Sequence, residues 1–470
     1  MTRARLVLVL AAVVTLTAAA HAQVGGAQSA QTLTLEGALQ YALDHYPTVR
    51  AALEQVNAST ANVSVAKAAY LPRFDALWQT NRATANNIFG QLLPQSVLPS
   101  ISGPVLPAAT GQSVWGSAAG GLLSWEAVDF GLRSAAVREA EAGVVRARAE
   151  EGLTRLAVQT AVGGAFLAVV SAQQALAAAE ADVQRREVLA RAAHTLADNQ
   201  LRPGAEASRA DAELAAARTR GIQTREAVTL AQTTLARVLG IPDGSVGVNT
   251  ARLLDNVVPS PAPAVPAPPH PLVQSEQAAV DLARAREEIL TKTDRPRIYL
   301  QSSISARGSG ANPDGAFEGG ADGLGLERAN WAAGVQVVFP NLFDFSSLRA
   351  RRAAADALTR AESAHYDEAV LTVASQQRAA DAMVEAARAI ALNTPIQLAA
   401  ARQSEAQARA RYDAGLAGII EVAEAQNLLA GAEYQDAAAR VDVWRALMAK
   451  AVALGSLASL VDLLRASGAQ

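Results

Sequence analysis

Cysteine is absent from all 470 positions, which excludes disulfides, thiolate metal sites, a cysteine nucleophile and an acylated N-terminal cysteine. Aromatic residues are scarce, at 4% against 50% hydrophobic residues overall. A compact core draws much of its buried area from Phe, Tyr and Trp. Here Ala, Leu and Val carry the apolar content, which favours long helices packed closely side by side. The net charge is only −3, so no nucleic-acid partner is expected. The five histidines (His21, His45, His194, His270, His365) are scattered and lack metal-ligand spacing. Neither a P-loop nor a Gly-x-Ser-x-Gly elbow is present. Gly308-Ser309-Gly310 and Asn312-Pro313-Asp314-Gly315 read as exposed turns rather than a phosphate or calcium site. An enzyme is therefore not expected, nor a metal or cofactor.

Long apolar runs are missing too, apart from the beginning of the chain. Arg3 and Arg5 precede an apolar stretch at 6–20, and Ala20-His21-Ala22 is a small-x-small cleavage site. Residues 1–22 thus read as a secretory signal, with the mature chain starting near Gln23. Later, the most apolar stretch is 161–172, which is short and flanked by Gln159, Thr160, Gln173 and Gln174. A membrane helix needs 18 or more such residues. If this exported chain crosses a membrane, it must do so with strands.

What the chain does contain is an internal repeat. Asp129-Phe130 recurs as Asp344-Phe345, 215 positions on. The same shift pairs Leu156 with Leu371, Asp198 with Asp413, Leu201 with Leu416, Glu206 with Glu421, Leu214 with Leu429, Val228 with Val443 and Leu239 with Leu454. Ala-on-Ala matches arise by chance in Ala-rich helices, but these do not, so the protein reads as two copies of one unit. Repeat one spans 23–255, a Pro/Ala-rich linker 256–271, and repeat two 272–470. Each repeat holds a helical hairpin, at 129–240 and 344–455, with a descending helix of roughly 100 Å at 1.5 Å per residue. The return helix is under half as long, so shorter helices near 48–70 and 272–291 are expected to stack end to end with it. Its seam (Leu214, Ala217, Gly221, Thr224, Val228, Ala231, Leu235, Val238) alternates steps of three and four. Its partner seam runs from Leu429 to Ala453 with Asp436 and Lys450 as polar departures. Pro395 should kink or locally re-pack the second long helix.

Strands are expected at about 72–82 and 113–125, and again at 296–307 and 331–339. Trp331, Ala333, Val335, Val337 and Phe339 alternate with Ala332, Gly334, Gln336 and Val338. Trp331 and Phe339 stand eight residues apart on one face, roughly 26 Å at about 3.3 Å per residue, close to the apolar band of an outer-membrane barrel. Trp78, Trp331 and Phe339 are the expected membrane-interface aromatics. Four strands cannot close a barrel, since the smallest have about eight, and lipid does not tolerate open edges. The strands must therefore be pooled among chains. A soluble periplasmic coiled-coil scaffold or adaptor-like protein would explain the helices but not these strands.

The fold class is thus mainly α with a small β part, two repeats each combining long helical hairpins with a two-strand β-hairpin. In this order the units resemble the TolC-type outer-membrane efflux proteins, or outer membrane factors, across essentially the whole mature sequence. The carriers are the junction Phe339-Pro340-Asn341-Leu342-Phe343-Asp344 and the tip Arg411-Tyr412-Asp413-Ala414-Gly415-Leu416-Ala417-Gly418-Ile419-Ile420-Glu421-Val422. The resemblance implies a homotrimer, with a 12-stranded β-barrel in outer-membrane lipid above a periplasmic α-helical barrel. It implies the exit channel of a tripartite efflux or type I secretion system, working with a periplasmic adaptor and an inner-membrane pump. It places a gate of acidic residues at Glu421 and Glu424, with Glu206 as their repeat-one counterpart. It places adaptor docking at Leu201, Arg202, Pro203 and Gly204 and at Leu416, Ala417 and Gly418. Two departures stand out: Ala417 occupies a position where the family often has a basic residue, and Arg202-Pro203-Gly204 replaces the Gly-Leu turn.

Overall fold

The computed structural model describes residues 32–86, 92–98, 105, 108–241, 246–250, 253, 269–312, 314, 316 and 321–466. The signal expected at 1–22 and nearly all of the 256–271 linker lie outside the described residues. The described residues begin with β1 (Thr32–Leu33), α1 (Leu35–His45), α2 (Pro47–Ala68), β2 (Arg73–Thr84) and β3 (Ser113–Val128). Then follow α3 (Leu132–Asp198), α4 (Gly204–Leu239), β4 (Gly247–Val248) and α5 (Pro271–Lys292). The remainder is β5 (Arg297–Ser309), β6 (Arg328–Val338), α6 (Phe345–Asp413), α7 (Ile419–Ala453) and α8 (Ala458–Ala466).

Local chemistry sets most boundaries. Thr34 caps α1 by accepting a hydrogen bond from the Gly37 amide at 3.1 Å. Pro47 opens α2 at the first helical position, where its missing N–H costs nothing. At the other end of the chain, the Ser456 hydroxyl accepts from the Ala458 amide at the start of α8. The short parallel pair β1–β4 and the helix α8 were not anticipated from periodicity, being too brief to show any.

Four strands form one antiparallel sheet in the order β2-β3-β5-β6. Their register aligns the two faces across the sheet: Phe74 stands opposite Leu123, Leu123 on the level of Ser302, and Ser302 opposite Ala333. That face also carries Ala76, Trp78, Trp125, Leu300, Ile304, Trp331, Val335 and Val337. The opposite face carries Asp75, Gln79, Asn81, Ser124, Tyr299, Gln301, Ser303, Ser305, Asn330 and Gln336. One face is therefore apolar and exposed, the other polar, the inverse of a soluble half-buried sheet. The strands run past their expected ends. β6 begins at Arg328 rather than Trp331, because Arg328 and Ala329 continue the ladder opposite Arg307 and Ala306. Phe339 falls one residue beyond β6, against Pro340, which has no N–H to donate.

The helices α3 and α6, 67 and 69 residues long, run away from the sheet as two parallel struts. α2 and α4 pack along α3, and α5 and α7 along α6, while α5 and α7 also contact α3 and so join the two repeats. The expected end-to-end stacking has a specific joint. Gly240 caps α4 at φ +75°, and a side chain there would reach Tyr46 and Pro47 at the start of α2. Gly455, at φ +83°, does the same beyond α7, where a Cβ would stand 2.6 Å from Pro271 Cδ. The His270 ring bridges this joint, accepting from the Leu272 amide and reaching the Val452 carbonyl at 3.1 Å.

The main core lies where α1, α3, α4, α7 and α8 meet, around Phe166, Leu167, Leu235, Leu239, Trp444, Leu457 and Leu460. By length and composition α3 contains a stretch apolar enough to cross a membrane, but half of it is buried inside the fold, where this core uses it. Helix α6 continues through Pro395 without interruption. Beside it, Thr394 donates to Asp436 of α7 at 3.0 Å, and Arg440 pairs with the same carboxylate at 2.7 Å. The polar departures in the second seam are thus paired across helices, Lys450 with Asp381 at 2.8 Å.

Candidate functional site at the hairpin tips

Both hairpins reverse within a few residues. After α3, Gln200 takes φ +58°, and the Leu201 amide bonds back to the Leu196 carbonyl at 2.9 Å. After α6, Gly415 takes φ +76° and the Leu416 amide bonds to the Arg411 carbonyl at 2.8 Å. These are left-handed helix ends, which Gly accepts without strain. Above the turns, Leu189, Ala190, Ala193, Ala210, Tyr412, Ile419 and Val422 form a small apolar cluster joining the two hairpins.

Arg202 fastens the tips to one another. Its guanidinium donates to the Ala417 carbonyl at 3.1 Å and to the Tyr412 carbonyl at 3.5 Å. It lies over the Tyr412 ring, 5.1 Å from the centroid, and pairs with Glu206 at 3.7 Å. The Tyr412 hydroxyl completes the set by donating to Glu206 at 3.3 Å. Burial pushes that hydroxyl above its ordinary pKa, and the adjacent Glu206 charge adds to the effect. Arg202 and Ala417 are repeat partners, so the basic residue missing from the second turn is present in the first and reaches across to it.

Exposure is uneven across the expected docking set. Leu201, Pro203, Gly204, Leu416 and Gly418 are exposed, but Arg202 is half-buried and Ala417 buried, turned towards each other. The acidic residues also divide. Glu421 and Glu424 share an exposed helix face, where Arg411 approaches Glu421 at 3.3 Å. Glu206 is drawn off into the Arg202–Tyr412 cluster instead. The exchange of Arg202 and Ala417 at one register, beside the turn-flanking Tyr412, was the available signal for this arrangement.

Two further polar nodes went unread in the sequence. Some four turns above the tip, Arg186 is 1% exposed and holds Asp182 through Nε at 3.0 Å, Glu213 at 2.9 Å and Asn427 of repeat two at 2.7 Å. Arg220 reaches Asp182 at 3.1 Å, and Arg185 grips Glu433 at 2.8 Å. The spacing of Asp182 and Arg186, four apart, marks such a pair on a helix. At the sheet end of α3, Asp129 accepts from the Gly131 and Arg133 amides and from the Arg133 guanidinium. Burial alone would raise this carboxyl, but the hydrogen bonds outweigh it and hold it below its ordinary value. Arg133 also covers the Tyr70 ring and donates to the Ala69 carbonyl, tying α2 to the junction.

At the membrane end, Trp78 and Trp331 are 72% and 81% exposed on the apolar face, and Phe339 is exposed below them. Phe343 is 89% exposed at the sheet-to-helix junction. Four of the five tryptophans lie in the sheet, so tryptophan is concentrated there. Among the described residues no group of three or more His, Asp or Glu side chains could hold a metal.

A short sheet with one bare apolar face, hung on struts of roughly 100 Å that end in fastened tips, defines a channel-forming outer-membrane protein. The chain belongs to the outer membrane efflux protein family, which it matches over residues 38–241 and 269–456. It is similar to Protein CyaE of Bordetella pertussis, 26% identical over 422 residues that cover 84% of this chain and 78% of that one. Among solved structures it resembles the outer membrane protein VceC of Vibrio cholerae, at 17% identity and a TM-score of 0.69, covering 90% of this chain and 96% of VceC. It also resembles the CmeC outer membrane channel of Campylobacter jejuni, at 14% identity and a TM-score of 0.70, covering 92% and 89%.

Proposed function

We propose that three copies of this chain form the outer-membrane exit channel of a tripartite efflux or type I secretion system. The observation that carries the reading is the sheet. Among the described residues β2 and β6 each have one neighbour, and β6 is exposed on both faces. Lipid leaves no such edge unpaired, so β6 of one copy must meet β2 of the next until the ring closes. Three copies give twelve strands, and the two struts with their two jointed companions give twelve helical positions below.

In this arrangement the Arg202 cluster keeps the tips together, while Glu421 and Glu424 line the periplasmic entrance. Six carboxylates near one axis favour cations. The exposed Leu201, Pro203, Gly204, Leu416 and Gly418 offer an apolar docking rim for the adaptor, adjacent to the latch that docking must release. The test is the mass and conductance of the detergent-extracted protein, with crosslinking from Leu201→Cys or Leu416→Cys to find the adaptor. A monomer that washes off membranes in salt would return the chain to a periplasmic scaffold.

A further inference from the structure

The first repeat carries a longer connection between its strands than the second, and the segment 92–98 within it does not extend away from the sheet. It folds back onto the polar face. On that face β3 presents Val114, Gly116, Ala118 and Gly120, a lane of mostly small side chains. Leu98 is buried against it, its Cδ2 2.5 Å from where a Cβ at position 120 would stand. Leu92 borders the same lane beside Asn81, Ala83, Val114 and Gly116. The segment is internally braced. The Gln95 side chain accepts from the Val97 and Leu98 amides at 2.6 and 2.7 Å and donates to the Leu98 carbonyl at 2.8 Å. Gly120 pairs with Ser305, and the adjoining residues Ile304 and Trp331 stand opposite each other on the apolar face. Leu98 therefore sits on the inner wall at the depth of the outer tryptophans.

From this we infer that residues 92–98 form a second constriction, at the outer end of the lumen, which limits the size of the cargo without selecting its charge. The inference rests on the channel reading, because it needs the polar face to line a closed barrel. The segment reads Leu-Leu-Pro-Gln-Ser-Val-Leu and carries no charge. Leu93 and Pro94 are exposed, and with the sheet behind the segment their open side is the lumen. Three copies make a leucine-lined neck that brings no charge of its own to a wall carrying Arg307 and Arg328, in series with the acidic entrance more than about 100 Å below. A neck of this kind resists ions by poor hydration rather than by repulsion. Cargo that is large or strongly hydrated passes only when the segment leaves its lane.

The absence of native cysteine makes the test clean. The protein is reconstituted in planar bilayers in an Arg202→Ala background, so that the tips do not limit the current. Leu93→Cys is modified with a bulky cationic or anionic methanethiosulfonate, and Thr84→Cys, on the apolar face at the same end of the sheet, is the control. At Leu93→Cys the current should fall by about half or more, and the reversal potential should move towards anions with the cationic reagent and towards cations with the anionic one. Dithiothreitol should restore both, and the control should respond to neither. Replacing 92–98 by a Gly-Ser segment of equal length should raise the conductance. Complete labelling of Leu93→Cys by mass, with current and reversal potential unchanged, overturns the inference while leaving the channel intact. If the Gly-Ser replacement in the Arg202→Ala background, which removes both latch and neck, does not conduct after insertion, the channel reading itself has failed.

Discussion

Replacing Arg202 by Ala should open the channel at its periplasmic end. The substitution removes a charge-assisted hydrogen bond to the Ala417 carbonyl, a longer one to Tyr412, the stacking on the Tyr412 ring and the ion pair with Glu206. A hydrogen bond to a charged group contributes about 1.5–3 kcal/mol and an exposed cation–π contact about 0.5–1 kcal/mol. Water replaces part of this once the tips separate, so we take about 2 kcal/mol per chain, a shift of roughly 30-fold towards the open arrangement. Three tips opening together compound it. The assay is open probability in a planar bilayer, with entry of a large antibiotic as the cellular counterpart. Arg202→Lys keeps the charge but loses the planar fork and much of the stacking, so it should fall between. Tyr412→Phe keeps the ring under Arg202 and should have a smaller effect than Arg202→Ala. The Tyr412 hydroxyl is held above its ordinary pKa, so its contribution is complete below about pH 10 and is lost only as pH rises through the raised value. Closure should accordingly be flat across neutral pH. An Arg202→Ala trimer that assembles normally yet opens no more often than the wild type would refute the latch.

Three other perturbations probe separate parts of the molecule. Glu421→Ala with Glu424→Ala should raise conductance and weaken cation preference, and an unchanged current and reversal potential would remove these residues from the gate. Arg186→Met leaves Asp182 buried without its main partner and should cost about 3 kcal/mol, read as a lower midpoint in thermal unfolding of the detergent-solubilised trimer. Asp129→Asn should loosen the sheet-to-helix junction by about 1.5–3 kcal/mol at neutral pH. Because the Asp129 carboxyl is held below its ordinary value, its contribution is present above pH ~4 and fades as pH falls through the depressed value. Thermal unfolding should therefore separate wild type from Asp129→Asn at pH 7 and bring them together in strong acid.

The architecture was legible because it is written in periodicities that need no tertiary context. Alternation from Trp331 to Val337 announces an exposed apolar face, and the three-four steps from Leu214 to Val238 announce a seam. The family resemblance added the assembly. What escaped was local or long-range. The pair β1–β4 and helix α8 are too short to show a period. The contact of Arg202 with the Ala417 carbonyl joins positions 215 apart, and the repeat register that pairs them does not by itself show which side of the turn faces the other. Exposure at a tip was the natural reading for an arginine between Leu201 and Pro203. Burial of Tyr412 two residues ahead of the second turn gives that arginine an aromatic surface to lie on. Similarly, the strand termini moved because hydrogen bonding, not side-chain alternation, decides where a ladder stops.

The joints at Gly240 and Gly455 give the wall two kinds of member. α3 and α6 are single beams running from membrane to tip, whereas the columns beside them are each cut once, at Pro47 and at Pro271. A cut column transmits compression along its axis but little torsion. The lower segments α4 and α7 can therefore untwist around their beams without turning α2 and α5, which adjoin the strands. In a trimeric channel that opens at its tips, dilation at the periplasmic mouth would be decoupled from the barrel, and the lipid seal would stay at rest while the entrance works.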